Sequence, residues 1–233
     1  MLLVSHPNIT YTTHHPPVHD NNTQALHQYT SIHNLLSNTP SHTFPNHPTT
    51  TQLVAYATGF ATLSPPPTNQ VHTWGDERYT ACLGREPTDD NPADTPGPVP
   101  DLADLPTGPI TKLAGGGYLL AALTAGNDLY CWGHAGRCAI LADLSDTPSP
   151  VVINDHDILD VAVGDAHMLV LTTSREVYVI GDNANGQLGL PGVSATRAWT
   201  RIDVGAVLAP GEFITGVAAG PRSSFLVAGK QPK

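Results

Sequence analysis

Positive charge is what this chain most lacks. Residues 1 to 75 contain no Lys, Arg or Glu, and their one charged side chain is Asp20; all 10 Lys and Arg of the 233 residues lie beyond Gly75. Against 20 Asp and Glu this leaves a formal net charge of −10, with the cations standing singly. Such a surface has no basic footprint for a phosphate backbone, so direct binding of DNA or RNA is not expected. Cysteine is as scarce. Cys82, Cys131 and Cys138 are odd in number and have no C-x-x-C spacing, which signals neither a disulfide framework nor a zinc knuckle; buried, idle thiols are expected. No apolar run approaches the ~20 residues of a membrane span. The opening "MLLVSHPN" has too short an apolar run, and no basic residue, for a signal peptide. Together these absences predict an intracellular protein, cytoplasmic or nuclear, with no membrane partner.

What is present falls into two parts. Residues 1 to 50 are rich in Thr, His, Asn, Pro and Ser and hold 8 of the 12 His. A segment with so little apolar surface cannot offset the entropy of ordering it, so it reads as low-complexity and disordered or weakly ordered. Its stretch "THHPPVHD" gathers His14, His15, His19 and Asp20, types that ligate metals. No paired spacing recurs there, and the cluster reads as a His-rich, Pro-broken tail with no metal site.

Residues 51 to 233 contain a repeat. "AGGGYLLAALTAGNDLYCWG" (114 to 133) lies over "AVGDAHMLVLTTSREVYVIG" (162 to 181) without a gap at an offset of 48, with six of 20 positions identical. Ala114 matches Ala162, Gly116 matches Gly164, Leu123 matches Leu171, Thr124 matches Thr172, Tyr130 matches Tyr178, and Gly133 matches Gly181. A third copy begins at "AAGPRSSFLVAG" (218 to 229), carrying Gly220, and stops before the strand that should follow. A degraded copy, "TGFATLSPPPTNQVHTWGD" (58 to 76), precedes the others and carries Trp74 and Gly75 where the next has Trp132 and Gly133. Periods near 50 residues with several short strands each are the pattern of propeller blades.

Each unit reads as β. "YLLAALT" and "MLVLTT" are runs long enough for buried strands and too short for most helices. In the turn "AGND", Gly126 and Asn127 tolerate positive φ, which suits a tight hairpin. "ILDVAV" (158 to 163) and "FITGVAA" (213 to 219) add a strand ahead of each run, ending at the repeat glycine, where backbones come close or bend. A fourth strand is expected in "SPVVI" (149 to 153) and "AWTRI" (198 to 202).

Gly164 to His167 as Gly-x-x-His, the "MLVLT" and "VYVIG" strands, the loop "GDNANGQLG" (181 to 189) and the Trp-Gly pairs together resemble the repeat of the regulator of chromosome condensation family. "CLGR" at 82 to 85 is similar to a worn copy of Gln187, Leu188 and Gly189. The resemblance implies a β-propeller over about residues 54 to 229, all-β, of which some three blades are present.

The loop "GDNANGQLG" is expected to reverse the chain at a blade edge, with Asn183, Asn185 and Gly186 in turn conformations and Leu188 tucked inward. A calcium loop is the competing reading. Aligning Gly186 with the obligate loop glycine puts Gly181 and Gly192 where carboxylates are needed, which excludes it. His167 is expected to satisfy a backbone group inside its blade. Asp165, His167 and Ser223 or Ser224 form a triad on paper only, since no nucleophile elbow accompanies them. The glycines 115 to 117 lack the Lys-Ser/Thr of a phosphate loop. No enzyme signature, cofactor motif or metal site emerges.

Functionally, the resemblance implies a propeller that binds a protein partner and has no catalytic chemistry of its own. The alternative it implies is guanine nucleotide exchange on a small GTPase, Ran being the family's best known target. A propeller closes with four to eight blades, and an arc of three leaves apolar faces wet. Self-association, or a truncated piece of a longer propeller, is therefore a further reading.

Overall fold

The short apolar runs, punctuated by Gly, Asn and Pro, fold into antiparallel hairpins in the structure, a computed structural model that describes residues 17–20, 25–134, 140–141 and 143–230. His14, His15 and Cys138 lie outside the described residues. The chain opens with β1 (Pro17–Asp20), β2 (Ala25–Gln28), a helical turn α1 (Ile32–Leu36) and β3 (His42–Phe44), which form one three-stranded sheet.

Three complete four-stranded sheets follow. The first holds β4 (Gln52–Tyr56), β5 (Gly59–Leu63), β6 (Val71–Gly75) and β7 (Gly97–Pro98). The second holds β8 (Ile110–Gly116), β9 (Leu119–Thr124), β10 (Leu129–Gly133) and β11 (Ser149–Pro150). The third holds β12 (Ile158–Val163), β13 (His167–Thr172), β14 (Val177–Asp182) and β15 (Ala195–Ile202). A two-stranded sheet ends the described chain, β16 (Glu212–Gly220) with β17 (Ser223–Lys230). Each complete sheet is an up-and-down meander in sequence order, the form of a propeller blade, and the chain is a partial β-propeller.

The expected fourth strands are present as β11 and β15. The first unit, worn in sequence, is a full blade. Its fourth strand β7 is only two residues long and lies behind a 21-residue connection holding a 3-10 helix, Glu77–Leu83, so no local pattern announced it.

Second strands of blades are buried on both faces, which explains their unbroken apolar runs. Every described residue of β5, β9 and β13 is buried. The cores lie between sheets. Leu63, Val71 and Val99 of the first blade meet Ile110, Leu120 and Trp132 of the second. Leu123, Leu129 and Cys131 of the second meet Ile158, Met168 and Tyr178 of the third. Leu169, Leu171 and Val179 of the third meet Ile214 and Val217 of β16.

Residues 25–50 differ from the weak order that composition suggested. Leu26 is fully buried against Phe60 and Trp74, with Phe44 beside them, and the Trp74 Nε1–H donates to Gln28 Oε1 at 3.1 Å. Few apolar residues suffice here because the first blade offers an apolar face that one Leu and one Phe help to cover. The sheet turns a polar side outward, where His27 Nδ1 and Thr43 Oγ1 share a hydrogen bond of 3.0 Å. Among the described residues no helix is long and apolar enough to cross a membrane.

Candidate functional site

Three repeat glycines lie where the first strands of neighbouring sheets end. Gly116, Gly164 and Gly220 occupy equivalent places at the ends of the first strands. A Cβ on Gly116 would lie 2.5 Å from Gly164 O and 2.6 Å from Val163 O. One on Gly164 would lie 2.7 Å from Gly220 O and would run into the His167 ring. Gly116 and Gly164 thus make room for the backbone of the next unit. The residues that follow carry hydrogen bonds between neighbouring sheets: Ala57 N–H donates to Gly117 O at 2.8 Å, and Asp165 N–H to Pro221 O at 3.1 Å.

The first blade solves the same contact with sizes exchanged. Tyr56 stands where the others have glycine and pairs with Gly59, which stands where the third blade has His167. The Tyr56 hydroxyl oxygen lies 2.8 Å from where a Gly59 Cβ would stand, and the hydroxyl donates to Cys82 O at 3.2 Å. Sequence comparison missed Tyr56 because the two positions changed together.

His167 is fully buried. Its Nε2 lies 3.0 Å from Ser224 Oγ, whose own hydroxyl donates to Gln187 O at 2.7 Å. That direction makes Nε2–H the donor and leaves Nδ1 unprotonated, without a hydrogen-bond partner. Burial holds this imidazole below its ordinary pKa. The expected backbone partner is therefore reached through a serine of the next sheet. Ser224, one member of the paper triad, spends its proton on a carbonyl, so the pair acts as a clasp. Cys82 O and Gln187 O, at matched positions of two blades, each accept a side-chain hydroxyl, from Tyr56 of the same blade and from Ser224 of the next sheet.

The rim turn after β14 is organised by Asn183. Its Nδ2 donates to Leu190 O at 2.8 Å and Val193 O at 2.6 Å, and its Oδ1 accepts from Leu188 N–H at 2.8 Å. Asn185 N–H donates to Gln187 Oε1 at 2.8 Å, and Gln187 Nε2 to Asp182 Oδ2 at 2.9 Å. Positive φ falls on Gly186 and Gly189, not on the asparagines; Asn183 serves the turn through its amide. Leu188 is buried with Leu169 and Val179 as expected. In "AGND" likewise only Asn127 has positive φ, at 69°, while Gly126 makes room for Thr107 O.

The other repeat residues are spent on packing. Trp74, Trp132, Leu123 and Leu171 are buried, as is Tyr178, whose hydroxyl is 3.1 Å from His156 Nε2. Tyr130 packs at the edge of the core between the first and second blades. Gly75, Gly133 and Gly181 end the third strands, each against the carbonyl of the loop before the second strand. Cys82 and Cys131 are buried free thiols, both pushed up in pKa by burial.

A second set of ties joins the first strands four residues before the repeat glycine. Gln52 Oε1 accepts from Leu113 N–H at 2.8 Å, and Asp160 Oδ2 accepts from Val217 N–H at 2.9 Å. Lys112, between them, pairs with Asp160. The first strands β8, β12 and β16 have a register shift here, beside Lys112, Asp160 and Gly216, and such a bulge frees a backbone N–H for the neighbouring blade.

Among the described residues Arg85 is the one buried Lys or Arg, satisfied by carbonyls: Nη1 donates to Asn91 O and Nη2 to Pro92 O and Thr95 O, each at 2.9 Å. It pins the β6–β7 connection, which displays Glu86, Asp89, Asp90 and Asp94 to solvent with no Lys or Arg from residue 86 to 104. Among the described residues no three His, Cys, Asp or Glu side chains converge on a metal position.

Residues 158–187 match the Regulator of chromosome condensation (RCC1) repeat. The chain is 32% identical over 141 residues to the E3 ubiquitin-protein ligase HERC2 of Mus musculus, a match covering 58% of this chain and 3% of that protein. It is 29% identical over 164 residues to the Regulator of chromosome condensation of the same species, covering 67% of this chain and 37% of that one. Prp20p from Saccharomyces cerevisiae, studied for its binding to Gsp1p and histones, superposes with a TM-score of 0.69 at 15% identity, over 99% of this chain and 58% of that chain. In all three the match takes in less than two thirds of the relative.

Proposed function

We propose, from the premise that this chain belongs to the regulator of chromosome condensation repeat family, that it is a protein-binding module with no catalytic group of its own, acting through loops at the blade rims. One observation carries this reading. The repeat residues are consumed inside the scaffold, whereas residues 86–94, in the first blade's connection between third and fourth strands, are largely exposed. Loops held by a rigid frame are where binding residues gather. That stretch presents Glu86, Asp89, Asp90 and Asp94 with no Lys or Arg from residue 86 to 104, so its partner is a protein with a basic surface.

The test is affinity capture on the wild-type chain and on a variant with Asp89→Lys and Asp90→Lys. Partners lost from the variant, and recovered at low salt on the wild type, support the reading; identical partner sets overturn it. The second reading, exchange on a small GTPase, rests on the family resemblance and on the yeast relative's binding to Gsp1p. Accelerated nucleotide release from a purified small GTPase would establish it in place of simple binding.

A further inference from the structure

The third strands β10 and β14 carry Tyr130 and Tyr178 at one repeat position, and β6 carries His72 there. In the third blade the chain ahead of β12 sends His156 against Tyr178, with ring centroids 5.5 Å apart. In the first blade the chain ahead of β4 sends His47 against His72, at 5.3 Å. The two contacts differ in charge. His156 Nε2 is half-buried and lies 3.4 Å from Glu176 Oε2, so a proton there meets a carboxylate. His47 and His72 are 6% and 8% exposed, and the charge that acts on His72 is that of Arg85.

The surroundings hold both rings neutral. His47 Nδ1 lies 2.9 Å from Pro48 O; a carbonyl only accepts, so Nδ1 carries the proton and Nε2 turns its lone pair to Thr62 Oγ1 at 3.4 Å. The edge of Trp74 closes the site, its ring centroid 6.3 Å from that of His47. His72 pairs with Thr62 of β5 and Pro98 of β7, neither of which titrates. The titratable or charged groups that face it are His47, from the chain ahead of β4, and Arg85, from the β6–β7 connection. Its Nδ1 has no hydrogen-bond partner. Both rings thus sit in the contact between residues 42–50 and the first blade, beside the small apolar core of Leu26, Phe60 and Trp74.

We propose that the His47–His72 pair is an acid-sensitive latch: it holds the sheet of β1 to β3 on the first blade while both rings are neutral, and releases it when they take up protons, uncovering Phe60 and Trp74. A proton on either ring of the docked form is a buried charge near Arg85, and a second proton is repelled by the first. Release returns the rings to water, where an imidazole takes up a proton near pH 6.5. Burial, then the charge of Arg85, lowers His72 from 6.5 to about 4 in the docked form. Docking is therefore at full strength above pH 6.5 and weakens as pH falls from there toward 4. Little else opposes release: the apolar core is small, and the Trp74 Nε1–H bond to Gln28 Oε1 can be replaced by water. The latch needs no partner, so it stands or falls independently of the reading above.

The experiment is hydrogen exchange on the whole chain from about pH 7 to about pH 5, corrected for the intrinsic pH dependence of amide exchange. Protection at residues 25–28 and 42–44 is expected to fall at least about tenfold and to return on neutralisation, while β9 keeps its protection; the pKa change of His72 alone supplies roughly twentyfold. Residues 183–193 and β17, joined through Ser224 to the buried His167, report that third ring separately. The double variant His47→Gln and His72→Gln, neutral throughout, is expected to lose less than about threefold over the same range. Should that variant fail to dock at neutral pH, the slope of the wild type decides: between about pH 6 and pH 5 opening should take up about one to two protons, and an uptake below about half a proton overturns the proposal. Unchanged protection in acid, a loss shared equally by β9, or an equal loss in the docked double variant overturns it as well.

Discussion

At the scale of single residues, Gly164 and His72 make the sharpest demands. A methyl group on Gly164 meets the His167 ring and Gly220 O together. Gly164→Ala is expected to cost about 1 to 3 kcal/mol in chemical denaturation. Adding His167→Ala should recover part of that, because one of the two obstacles is then gone. His72 is 8% exposed, its Nδ1 has no hydrogen-bond partner, and burial, followed by the charge of Arg85, lowers its pKa to about 4 from 6.5. The folded state keeps this imidazole neutral, while the unfolded chain takes up a proton at higher pH. Its contribution is therefore complete above pH 6.5 and is lost as pH falls from there toward 4, by roughly 2 to 3 kcal/mol. Thermal melts across that window should fall less steeply for His72→Gln than for the wild type.

At the scale of elements, the rim turn shows how a loop of polar residues becomes rigid. Asn183 closes three hydrogen bonds within residues 183–193, and Ser224 ties the same turn to β17. Asn183→Ala leaves the buried Leu188 N–H without its partner and releases the carbonyls of Leu190 and Val193, and is expected to cost about 1 to 3 kcal/mol. Hydrogen exchange should locate the loss, with the amides of 183–193 exchanging faster while those of β9 stay protected. The "GDNANGQLG" pattern was legible as a turn because Gly and Asn mark turns. That Asn183 works through its side-chain amide was not legible, since its acceptors Leu190 and Val193 come into reach only when the loop has folded back on itself.

At the scale of the whole molecule, the outer sheets differ in what they cover. The sheet of β1 to β3 lies over the first blade, placing Leu26 on Trp74 and His27 and Thr43 toward water. Phe225 and Val227 of β17 stand exposed. Leu26→Asp is expected to lower stability by at least about 3 kcal/mol and to shift tryptophan emission to the red as Trp74 becomes wet, with Trp132 still buried. An unchanged spectrum and midpoint would show that the first sheet caps nothing.

The sequence by itself determined the repeat, the strand character of each unit, and the glycines where units meet, because burial on both faces leaves unbroken apolar runs and close backbone contacts leave no room for a Cβ. It did not reveal the order in residues 25–50, the Tyr56–Gly59 exchange, the ties of Gln52 and Asp160, or the carbonyl cage around Arg85. Those rest on partners from other blades, or from a loop folded back, and become visible only when tertiary structure sets them side by side.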